Sequence, residues 1–122
     1  MNESTKAMLK GVPKIANTKA HQYTFERKPF QGSNLFGVYT LMDSEQEVYV
    51  VYSFDTHYPM YIHTNGCWFE NEDRFSRTTS KHLSQARPSS TTIKLSTRWM
   101  QRLANNGYQG IAKERVLTGE PL

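Results

Sequence analysis

Apolar and polar positions divide the chain into extended runs and one capped helix. His21 to Lys28 alternates, with Tyr23 and Phe25 on one side and Gln22, Thr24 and Glu26 on the other, the pattern of a half-buried strand. Pro29, Gly32, Ser33 and Asn34 break it. Leu35 to Met42 is aromatic and β-branched, and predicts a second strand. The polar turn Asp43 to Gln46 leads into Glu47 to Phe54, which is apolar on both faces for most of its length, as a central strand is. Asn65-Gly66 then sits between two aromatic-rich runs. Both central positions of a type I′ turn need positive φ, so this pair predicts a two-residue hairpin. The turn pairs Thr64 with Cys67, His63 with Trp68, Ile62 with Phe69 and Tyr61 with Glu70. Period two places Tyr58, Met60, Ile62, Cys67 and Phe69 on the core side, and Tyr61, His63, Trp68 and Glu70 on the outer side.

Asn71 to Ser90 is almost wholly polar, with Phe75 and Leu83 as its only large apolar residues, and reads as a long loop. Thr91 to Leu95 resumes a short strand, and Ser96 stands at an N-cap position. Trp99, Met100, Leu103 and Ala104 form a helical stripe that Asn106-Gly107 ends; residues 108–118 make a weak final element. Residues 1–20 show no sustained period, and Gly11 and Pro13 oppose a stable helix, so they read as a mobile basic arm. Residues 21–122 form a single α+β domain. Its expected architecture is a small antiparallel sheet, a meander with the Asn-Gly hairpin, with one or two C-terminal helices packed on one face.

Charge is distributed in blocks. Residues 1–28 carry six Lys and Arg against two Glu, residues 29–73 carry seven acids and no Lys or Arg, and residues 74–122 carry nine Lys and Arg against two Glu. From Arg74 to Arg102 there are seven basic side chains and no acid. Ser76, Thr78, Thr79, Ser80, Ser84 and Gln85 lie among them. Arginine, lysine, hydroxyl and amide side chains are those that hold phosphate oxygens. Arg74, Arg77, Lys81, His82, Arg87, Arg98 and Arg102 are therefore candidate nucleic-acid contacts on one positive surface. Tyr61, His63 and Trp68, on the outer sheet face, are candidates for stacking on unpaired bases.

Two strings carry a resemblance: SFDTHYPMYIH, from Ser53 to His63, and NEDRFSRTTSKHLSQARP, from Asn71 to Pro88. The stretch from Val50 to Pro88 resembles a small domain family of unassigned function carried by bacteriophages and mobile elements. The resemblance implies a phage-type accessory protein in a bacterial cytoplasm, with no reaction and no ligand attached.

Enzymatic chemistry is poorly supplied. One cysteine, Cys67, excludes an internal disulfide and a Cys-based structural zinc site, and matches a reducing compartment. The hairpin register sets Cys67 and His63 on opposite faces, which separates that nucleophile pair. His57 and His63 on a continuous strand stand about 20 Å apart at roughly 3.3 Å per residue, too far for one metal ion. Glu70, Glu72 and Asp73 offer a divalent-ion site or, better, partners for Arg74 or Arg77. No P-loop, G-x-G-x-x-G or G-x-S-x-G occurs. No apolar run reaches the roughly 20 residues that span a bilayer, and no apolar stretch follows the N-terminal lysines as in a secretory signal. The expectation is a non-enzymatic protein with no cofactor and no metal that binds nucleic acid through its basic loop and helix. The alternative is an inhibitor of a host nuclease, polymerase or defence complex, with the acidic block facing the target's basic groove.

Overall fold

The computed structural model describes residues 3–42, 46–74 and 76–118, with side-chain placement up to residue 114. A six-stranded sheet runs in chain order: β1 (Phe30–Gln31), β2 (Leu35–Met42), β3 (Glu47–Ser53), β4 (Pro59–Thr64), β5 (Cys67–Asn71) and β6 (Thr92–Leu95). The first five strands pair antiparallel and β6 joins β5 in parallel. A parallel neighbour needs a crossover, and α3 (Arg77–Ala86) supplies it. The fold is α+β, with the C-terminal helix α4 (Thr97–Thr118) packed across β3 and β4.

The hairpin has the register its turn requires. Thr64 faces Cys67, His63 faces Trp68, Ile62 faces Phe69 and Tyr61 faces Glu70. Asn65 and Gly66 take φ of 53° and 72°, which Asn tolerates better than most residues and Gly accepts freely. β3 lies inside the sheet, with Val48, Val50 and Tyr52 on one face and Tyr49 and Val51 on the other.

Both faces of the sheet are covered. On one, Phe36, Val38, Val50, Ile62 and Phe69 pack against Trp99, Met100, Leu103 and Ala104 of α4. On the other, Tyr49, Val51, Tyr61 and Trp68 pack against Leu83 and Ala86 of α3 and Ala20 of α2 (Ala20–Phe25). Met60 is the extra residue of a bulge, since Val51 pairs with Tyr61 and Tyr52 with Pro59. The bulge turns Met60 and Tyr58 into the α3 side, so the strict alternation that put them with Ile62 fails there.

Three further expectations are corrected. Residues 21–28 begin as helix α2, not a strand: Ala20 and Thr24, four apart, are the buried pair, and Phe25 is 49% exposed. The Asn71–Ser90 loop contains α3, whose buried residues Thr79, His82, Leu83 and Ala86 have helical spacing. Two of those four are polar, which hid the stripe. The N-terminal arm is packed on the domain. Helix α1 (Glu3–Met8) is followed by Leu9, buried in the α4-side core, and residues 13–15 run along β1 through Gln31 N–H to Pro13 O and Ile15 N–H to Gln31 O. The side-chain amide of Gln31 also donates to the Leu9 and Val12 carbonyls, at 3.2 and 2.7 Å. Phe75 lies outside the described residues.

Candidate nucleic-acid interface

The two strings, Ser53–His63 and Asn71–Pro88, meet in space. Ser53 Oγ lies 2.7 Å from His82 Nδ1, and the Phe54 ring stands 5.4 Å from the imidazole. Tyr61 donates its hydroxyl to the Leu83 carbonyl at 2.7 Å, and Tyr58 donates to the Asp73 carbonyl. The Asn71 amide donates to the Pro59 carbonyl at 3.0 Å. Side chains of the first string therefore seat the helix that the second string builds. Ser53 and His82 are 2% and 4% exposed, so their contact is an internal tie between β3 and α3. Burial, helped by the Lys81 charge, lowers the His82 pKa and keeps the imidazole neutral at neutral pH.

Glu70 is the second tie. Its side chain is 2% exposed, yet it meets Arg74 Nη2 at 3.0 Å, Arg87 Nη1 at 2.9 Å and the Thr92 hydroxyl at 2.8 Å. Burial acts to raise its pKa, but the bonds from Thr92, Arg87 and Arg74 and the Arg87 charge outweigh that and hold it below the ordinary carboxylate value. Arg87 also stands over the Tyr61 ring. Asp73 accepts from the Thr97 N–H at 2.8 Å and hydroxyl at 2.7 Å, anchoring the start of α4; these two bonds lower its pKa. Of the three carboxylates, Glu72 alone is exposed. Among the described residues no three His, Cys, Asp or Glu side chains gather as metal ligands. Cys67 is a free, half-buried thiol beside the α4-side core, across the strand from the His63 face.

The candidate contacts are thus divided. Arg74 and Arg87 neutralise Glu70. His82 is inside the fold. Arg77 and Lys81 lie exposed on α3, on one side of the sheet. Arg98 and Arg102 lie on α4, on the other side, where both stand over the Trp99 ring and Arg102 pairs with Glu114. One continuous positive surface across all seven is not formed, because the sheet separates the two helices. Base stacking on Tyr61 and Trp68 is also corrected: both are buried under α3, and His63, half-buried, packs edge-on to Trp68 at 5.0 Å. Hairpin register determines which residues share a face but not what covers that face, and α3 was unread.

What remains together is the outer surface of the α3 layer. Ser76 caps α3 by accepting from the Thr79 N–H at 3.1 Å, and the buried stripe points inward. Arg77, Thr78, Ser80, Lys81 and Ser84 point outward. A short 3-10 turn, Asn17–Lys19, and α2 pack beside α3, with Asn17 bonded to Gln85 and Ser33. They add exposed Lys19, His21 and Gln22. Residues 17–25 and 77–86 contain three cations, Lys19, Arg77 and Lys81, and no acid. Lys19 joins this surface, although its position in the sequence places it in the basic arm. No family model, curated protein or solved structure matches the chain.

Proposed function

We propose that this is a non-enzymatic, phage-type accessory protein that binds the phosphate backbone of nucleic acid through the outer surface of the α3 layer. The observation that carries this reading is the acid-free helical layer: Lys19, Arg77 and Lys81, none in an ion pair among the described residues, set among exposed Thr78, Ser80 and Ser84. Such side chains fix a phosphate backbone without reading base sequence. The contacts Arg98 and Arg102 drop out of the interface, and so do the stacking residues. Binding is then electrostatic, weakly dependent on sequence and steeply dependent on salt.

The experiment is fluorescence anisotropy with labelled single- and double-stranded DNA and RNA at low and moderate salt. Binding to at least one of these at low salt, lost as salt rises, is the expected result. Absence of binding to all of them overturns the reading, and co-purification of a host protein in its place transfers the proposal to the inhibitor class. Among the described residues no helix is long and apolar enough to cross a membrane.

A further inference from the structure

On the α4 side of the sheet, away from the α3 layer, lies a cleft of about 400 Å³ bounded by α1, β2, β3 and α4. Ser4 and Thr5 of α1, Thr40 of β2, Tyr52 of β3, Thr56 and Asn105 supply its polar lining, and among the described residues no charged side chain lines it. Tyr52 is 3% exposed and its ring packs on Phe36, 5.2 Å between centroids. Its hydroxyl has no hydrogen-bond partner among the described residues, whereas the neighbouring Thr40 hydroxyl donates to the Ala104 carbonyl at 2.6 Å. The Tyr52 hydroxyl is not one of the sealed, unpartnered groups, as that of Thr64 is, so it opens on the cleft that Tyr52 lines. Burial alone pushes its pKa up, with no hydrogen bond acting against it. A buried phenol facing polar space without a protein partner is a group waiting for an acceptor or donor from outside.

We propose that this cleft binds a neutral sugar ring, with Tyr52 Oη as its anchoring hydrogen-bond partner. Hydroxyl and amide side chains both donate and accept, which matches a ligand whose own groups do both. An uncharged lining offers nothing to offset the desolvation of a phosphate or carboxylate. Met8 gives apolar surface for the C–H face of the ring. The same chemistry is presented by a free monosaccharide and by the ribose of a nucleoside.

The test is an NMR titration of the whole chain with glucose, ribose and uridine, with glucuronate as the anionic comparison. Saturable shifts at Thr40, Thr56 and Asn105 are expected, with a Kd of about millimolar for so small a ligand. Shifts with glucose or ribose assign a free sugar, and shifts with uridine alone assign a nucleoside sugar. Tyr52→Phe is expected to weaken binding about fivefold. It leaves the thermal midpoint unchanged, because the hydroxyl makes no internal bond to lose. No saturable shift with any neutral probe means a water-filled cleft and overturns the proposal. So does tighter binding of glucuronate than of glucose, equal binding by Tyr52→Phe, or a lowered midpoint in that variant.

Discussion

A carboxylate enclosed between a sheet and a helix is stable only while its lone pairs are met, and Glu70 is met three times, by Arg74, Arg87 and Thr92. The two arginines are themselves 37% and 49% exposed, so their guanidinium groups keep part of their hydration while the acid does not. That asymmetry fixes which change does harm. Arg87→Ala together with Arg74→Ala leaves a buried, unpaired charge and is expected to lower stability by about 3–5 kcal/mol. Adding Glu70→Leu to the pair removes the charge and is expected to restore much of the loss. Urea unfolding of the double and triple variants measures both, and a triple variant no more stable than the double contradicts this account. A partner for Glu70 in Arg74 or Arg77 was legible because the acids stand directly before the basic run, and Arg74 is the one that pairs. The partner Arg87 was not legible, because it reaches Glu70 only after α3 folds the chain back.

The helices differ in how they begin. Ser76 accepts squarely from Thr79 N–H at 3.1 Å, so Ser76→Ala is expected to cost about 1 kcal/mol. Ser96 holds the N-cap position of α4, with Met100 N–H on its carbonyl, but its hydroxyl is 3.5 Å from the Trp99 N–H. Asp73, from 24 residues upstream, takes the Thr97 N–H at 2.8 Å instead. Asp73→Ala is therefore expected to lower the thermal midpoint more than Ser96→Ala does, and the reverse order would contradict the assignment. The hairpin, the central strand and the stripe of α4 were legible because each carries one period over enough residues. Helix α2 was misread because Tyr23 and Phe25 alternate by chance over a segment too short to separate the two periods. Helix α3 was missed because His82 and Thr79 occupy core positions where apolar residues are the usual signal. The long α4 element also contains a break, at Gly107 with φ 77°, at the stop that Asn106-Gly107 predicts.

Among the described residues, the acidic and basic blocks of the sequence meet at Glu70, which pairs with Arg74 and Arg87. Glu70 is buried, half-buried Asp73 holds the start of α4, and Asp55 accepts from the Thr5 hydroxyl, while Lys19, Arg77 and Lys81 stay on the surface. The internal groups give stability a pH dependence with two stages. Burial, with the Lys81 and Arg27 charges respectively, lowers His82 and His63 below 6.5, so the unfolded chain takes up protons before the folded one does. Stability is therefore expected to fall as pH drops below about 6.5 toward the folded values. Glu70 and Asp73 sit below 4.5 and 3.8; their contribution is complete above those values and is lost as pH falls through the folded ones. Thermal midpoints across this range, compared with His82→Gln, measure the first stage; a flat midpoint down to the carboxylate range contradicts it. The surface cations are the part that concerns function. The most direct measurement is the slope of log K against log salt concentration for nucleic-acid binding. It is compared between the natural chain, a variant with Lys19, Arg77 and Lys81 changed to Ala, and Arg98→Ala on the opposite face. A slope smaller by about three units is expected in the triple variant, with affinity lost similarly on all sequences, and an unchanged slope for Arg98→Ala. An unchanged slope in the triple variant, or a loss produced by Arg98→Ala instead, would contradict it.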